Sequence, residues 1–185
     1  MPPSAHVSAS LDDNNETWVS INAWLEGQDK GSVVYLALGS EKLVGSSKSF
    51  ELPDRFEEQV KERGIVWKGW APQLKILSHD SVGGFSTHCC WNSTVEGIMF
   101  GLPLIILPFL VDQGLNARVL KNNRAEIEVP RNEEDRSYTS DSVAKSVRLI
   151  MVEHIGMKYR DRDKELSVIF GDRKLHDLYL ENSNV

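Results

Sequence analysis

The 185-residue, 20.9 kDa chain is 41% hydrophobic and 26% charged, the composition of a soluble globular domain with its own core. Its 27 acidic residues outnumber 21 basic ones, and a net charge of −6 argues against a nucleic-acid footprint. The longest nearly apolar stretch, Ile98–Val111, is broken by Gly101, Pro103 and Pro108 and is too short to span a bilayer; the opening MPPSAHVSASLDD has neither the basic start nor the apolar centre of a signal peptide, so a cytoplasmic protein is expected.

Residues 1–16 read as a polar, irregular lead-in, and 17–185 as one domain. Trp18, Ile21, Trp24 and Leu25 recur at helical spacing after Glu16-Thr17. Ser32–Leu38 is β-branched and almost continuously apolar, as a parallel strand covered on both faces should be, and Gly39-Ser40 ends it. A helix is expected at 54–62, a short strand at 65–67 and a turn at Trp70. A strand at 82–86, a helix at 89–99, a strand at 104–107 and a helix at 114–122 then repeat one rhythm. Ile127–Val129 forms a last strand. Thr139 or Ser140, with Asp141, supplies the cap and acidic first turn of a helix to about 152. One or two helices fill 157–180. Alternating strands and helices of this kind build an α/β fold with a doubly wound parallel sheet.

In such folds ligands bind in the loops at the C-terminal ends of the strands. The unusual polar and aromatic residues of Trp70–Gln113 (WAPQLKILSHDSVGGFSTHCCWNSTVEGIMFGLPLIILPFLVDQ) fall on those loops. A helix opening with CCWNS directly after a strand offers oriented amides and a positive dipole end to an anion, with His88, Asn92 and Ser93 as added donors. Read as one helix, His88, Asn92 and Glu96 follow at four-residue intervals on a single face. Trp70 offers a flat π surface for a base, or else plugs the sheet edge. Cys89 and Cys90 are adjacent, which disfavours a disulfide between them. A zinc site built from His79, His88, Cys89 and Cys90 is disfavoured because successive helical residues diverge by about 100°; reduced thiols packed beside a strand are expected instead.

The Trp70–Gln113 segment resembles the signature box of plant secondary-product UDP-glycosyltransferases. SVVYLALGSE before it, and LNARVL, EVPRNEED, DSVAKSVRLIMVE and IFGD after it, resemble the group that adds a sugar to a sugar already on an aglycone. That group includes UDP-rhamnose rhamnosyltransferases and branch-forming glucosyltransferases. The resemblance implies the C-terminal, donor-binding half of a two-domain GT-B architecture. It places Trp70 on uracil, Ala71 and Gln73 on base or ribose, and Ser40, His88, Asn92 and Ser93 on the diphosphate. Glu96 would take the ribose hydroxyls, and Asp112 with Gln113 the transferred hexose. Trp91 would pack near the sugar or under the phosphates, or serve structure alone. UDP leaves with inversion in this family. No metal or other cofactor is expected: no Asp-x-Asp motif is present, and helix amides suit the charge on the leaving group. No catalytic residue is assigned, since the family's general base is a His of the separate acceptor domain, and His6 lacks its motif.

Three departures stand out. Only the donor half is represented, with Met1 where the family has an internal Leu-Pro-Pro. Between Ser40 and Leu52, EKLVGSSKSFE is too short for the usual helix and strand, which should leave a gap between Ser32–Leu38 and 65–67. Cys90 stands where the family has Gly. The expected function is UDP-glucose or UDP-rhamnose binding for transfer to a hydroxyl of a small glycoside, with this chain alone inactive. The rival reading is a non-catalytic remnant that binds UDP-sugar, or a partner completed in trans. A dehydrogenase-type site ranks third, because no Gly-x-Gly-x-x-Gly follows the first strand.

Overall fold

A computed structural model describes residues 16–37, 53–68, 70–109, 111–122, 126–154 and 156–170. Its elements run α1 (Glu16–Leu25), β1 (Val33–Ala37), α2 (Phe56–Val60), α3 (Gln73–Leu77), β2 (Val82–Thr87), α4 (Trp91–Met99), β3 (Leu104–Ile106), α5 (Val111–Asn122), β4 (Glu126–Glu128), α6 (Ser140–Met151) and α7 (Gly156–Phe170). The strands form one parallel sheet in the order β1-β2-β3-β4. Every strand connection is therefore a crossover, as an α/β sheet requires.

Alternation along the strands divides the interior in two. Leu104 and Ile106 face one side, where Phe85, Ile98, Ala117, Leu120 and the α1 residues Ile21 and Leu25 gather. Ile105 faces the other and packs with Val129 and Ile150 under α6. Trp18 and Trp24 complete the α1 stripe against the first cluster, at the spacing read from the sequence. Gly97 lets α4 lie flush on the sheet: a Cβ there would meet Leu104 at 2.6 Å and Phe85 at 2.8 Å. Gly101 ends α4 at a φ of +64°, a region open to glycine at little cost. The cap foreseen for α6 is present as a reciprocal pair between Thr139 and Ser142, with Asp141 in the first turn.

Several boundaries differ from expectation. The strand expected at 65–67 does not join the sheet; residues 64–68 carry no regular structure, and Ile65 and Trp67 are exposed. Among the described residues β1 pairs only with β2, so the direct pairing of 65–67 with β1 is not made. The first strand is also less covered than its apolar run implied, since Leu36 is exposed. The four-strand α/β half-domain matches the expected fold class. Among the described residues no helix is long and apolar enough to cross a membrane.

Candidate functional site at the carboxyl edge of the sheet

Strand β2 carries the chain to Thr87 and releases it into a three-residue loop, His88-Cys89-Cys90, ahead of α4. The helix expected from residue 89 thus starts at Trp91, with Cys90 as N-cap in an extended conformation. Cys89 has a φ of 70°, which breaks the helix before it begins. His88 therefore does not share a continuous helix face with Asn92, and the divergence of successive helical residues does not apply to the two cysteines. Asn92 and Glu96 do lie one turn apart on α4. No side chain caps α4, so its first-turn amides keep their donors. His88 is only 9% exposed, and its Nδ1 has no partner among the described residues.

A second set of residues closes on this helix from α3. Gln73 opens α3 after Pro72, and its Nε2 donates to Glu96 Oε2 at 2.6 Å and to Ser93 Oγ at 3.3 Å. Cys90 Sγ donates to the same Ser93 hydroxyl at 3.3 Å. Residues 70–73 and 90–96 are thereby joined into one polar cluster. Glu96 also bears on Tyr35 of β1: burial, and secondarily the Glu96 charge, raises the Tyr35 hydroxyl above its usual value. Ala71 packs partly buried against the core, while Trp70 stands 83% exposed ahead of α3.

The remaining expected site residues are more dispersed. Trp91 is 53% exposed on the first turn of α4, and Asn92 is exposed beside it. Asp112 and Gln113, expected in a loop, belong to the first turn of α5. Gln113 is 3% exposed and its Oε1 accepts the Phe109 amide at 2.8 Å, the back-reaching bond of a third helical residue that fixes the helix entry. Ser40 and the Asp112 side chain lie outside the described residues. Among those described, no group of three or more His, Cys, Asp or Glu is arranged to hold a metal ion.

The family model for UDP-glucoronosyl and UDP-glucosyl transferases matches residues 52–181. The chain belongs to that family. Over 91% of its length it is 48% identical to UDP-glycosyltransferase 91D2 of Stevia rebaudiana, and over 98% it is 40% identical to the soyasaponin III rhamnosyltransferase of Glycine max. These alignments take in 42% and 44% of the two relatives, so the chain spans less than half the length of the curated glycosyltransferases it matches. Among solved structures, UGT2 of Phytolacca americana, complexed with UDP-2fluoro-glucose and pterostilbene, superposes with a TM-score of 0.70 at 33% identity. That superposition covers 80% of this chain and 38% of the other.

Within this glycosyltransferase domain, sequence reasoning missed the groups that shape the loop after β2. Asn116 donates from α5 to the Cys89 carbonyl at 3.1 Å. Its signal was a polar residue on a buried stripe, with Gln113 three positions before it and Ala117 and Leu120 after it. Cys89 is a free, buried thiol, as expected, and burial pushes it up to about 11. Glu126 was also missed. Its pairing with Leu104 across the β3–β4 ladder turns it toward the core, where it is 5% exposed and its Oε2 has no partner among the described residues.

Proposed function

We propose that the domain binds the UDP moiety of a UDP-sugar, with Trp70 stacking on the base and Glu96 taking the ribose hydroxyls. The observation that carries this reading is the join of Gln73 to Ser93 and Glu96, which links the aromatic turn to an uncapped helix N-terminus. A diphosphate there would meet the first-turn amides of α4, the Asn92 and Ser93 side chains and the Nδ1 of His88, which has no partner among the described residues. Ser40 would add a further hydroxyl. Trp91, exposed on the same turn, would flank the phosphates. Asp112 would hold the sugar, with Gln113 bracing the start of α5, and Ala71 would present its backbone to the base.

In transfer, the acceptor oxygen attacks the anomeric carbon with inversion and the C1–O bond to UDP breaks. Charge then builds on the departing diphosphate. Helix amides and His88, fixed before the reaction, stabilise that charge without a metal ion. The donor is UDP-glucose or UDP-rhamnose and the acceptor a hydroxyl of a plant glycoside, readings motivated by the description of the family model and by the name of the soybean relative. Proton removal from the acceptor falls to a group outside this domain. The alternative reading, UDP-sugar binding without turnover or completion by a partner in trans, is motivated by the limited share of the relatives covered.

Calorimetric titration with UDP, UDP-glucose and UDP-rhamnose in the presence of a chelator tests the reading. Binding without metal is expected. Trp70→Ala should weaken it by about 1–3 kcal/mol, the worth of one base stack, with the melting temperature unmoved because the ring is exposed. Unchanged affinity in Trp70→Ala, or a strict metal requirement, would sink the assignment. Release of UDP from UDP-sugar and a glycoside separates the transferase from the binding-only alternative.

A further inference from the structure

Three described residues other than glycine have positive φ, namely Arg55, Cys89 and Arg136, and only Cys89 is buried. An L-residue with a Cβ visits this left-handed region rarely and stays there only where its surroundings over-determine it. Each polar atom of Cys89 is taken by a different element. Its amide donates to Thr87 Oγ1 at the end of β2 (3.4 Å), and its Sγ accepts from Thr94 Oγ1 of α4 (3.8 Å). Its carbonyl accepts from Asn116 Nδ2 of α5 (3.1 Å). The two threonines are local, whereas Asn116 belongs to α5, which follows β3 in the chain. Its reach is set by the seat of α5, where Gln113 holds the Phe109 amide and Ala117 and Leu120 are buried in the core.

Across a trans peptide the carbonyl and the following N–H point in opposite directions. A Cys89 carbonyl drawn toward α5 therefore turns the Cys90 N–H away from α5 and toward the open start of α4. We propose that Asn116 is a positioning residue for the nucleotide diphosphate: by holding the Cys89 carbonyl it keeps the loop left-handed and adds the Cys90 amide to the first-turn donors of α4. This rests on the UDP-binding reading above and extends it to a residue that need not touch the ligand.

The test uses the full chain, with UDP and uridine as separate probes. Asn116→Ala should weaken UDP binding about five- to tenfold, the worth of one hydrogen bond, and change uridine binding little. Adding Cys89→Gly should restore much of the UDP affinity, because glycine adopts the left-handed conformation without help. Its melting temperature will fall, since a buried thiol is lost. Asn116→Leu, similar in volume but without the donor, should repeat the selective loss if the alanine variant folds poorly. UDP affinity equal to the parent's, an equal loss for uridine, or no rescue by Cys89→Gly would each overturn the proposal. A parent chain that binds no UDP counts instead against the donor-site reading. The Cys89 carbon shifts and Cys90 amide exchange then decide the role of Asn116: a left-handed signature that survives Asn116→Ala refutes it, and its loss upholds it.

Discussion

Glu126 makes the stability of this domain depend on pH in an unusual direction. Its carboxyl is buried on the core side of β4, and burial pushes it from 4.5 up to about 7. The neighbouring Glu128 adds to the rise, and Lys121 of α5 opposes it. Between these two values the folded chain holds a proton that the unfolded chain has released. Stability therefore falls as pH rises from 4.5 through 7 and is level above that. At about 1.36 kcal/mol for each tenfold change in proton affinity, the loss is roughly 3 kcal/mol. In a chain of this size that is roughly 6–12 °C in melting temperature. The comparison is between parent and Glu126→Gln, which keeps the shape and cannot ionise, in urea or thermal melts near pH 4.5 and at pH 8. The two proteins should be similar in stability at the lower pH, with the variant the more stable by up to about 3 kcal/mol at the higher. An equal difference at both pH values would show that the carboxyl is not buried as described.

Two further substitutions probe separate parts of the chain. Cys90 has an ordinary extended backbone, so glycine is not needed there for conformation, and its thiol occupies the Ser93 hydroxyl. Cys90→Gly should therefore tighten UDP binding or leave it equal by calorimetry, and a clear loss would assign the thiol a positive role. Thr139→Ala removes one half of the reciprocal cap of α6 and should cost about 0.5–2 kcal/mol in urea unfolding; an unchanged midpoint would show that the cap contributes nothing in this setting.

What the sequence made legible was what local chemistry decides. The four strands lie within a residue or two of their apolar runs; Gly31 and Gly39 bound the first run, and Pro103 and Pro108 the third. The cap of α6 was readable because Thr139 caps and Asp141 lies in the acidic first turn within a single turn of sequence. Two of the failures are non-local. Cys89 leaves the helix because Thr87, Thr94 and Asn116 capture it, and the last of these is a residue of another element. Residues 65–67 look like a strand, yet a strand also needs a partner, and these residues do not pair with the open edge of β1. Glu126 escaped notice because a charged residue in a short strand reads as surface until its pairing with Leu104 shows which way it points.

The parallel topology also sets an order on assembly. Strands β2 and β3 are joined through residues 88–103, and β3 and β4 through 107–125, whereas β1 reaches β2 only through 38–81. Closing a link more than twice as long costs at least about 0.6 kcal/mol more in chain entropy. The middle of the sheet, with the loop that bears Cys89, can thus form before β1 arrives. Chain entropy favours the pairing of β1 least, although β1, held like β4 along one edge alone among the described residues, pairs over five residues where β4 pairs over three. Tyr35 rides on β1 and stacks on Phe85 at 5.4 Å, so the ring-proton shifts of Tyr35 report the docking of β1 on β2 rather than the assembly of the nucleotide edge.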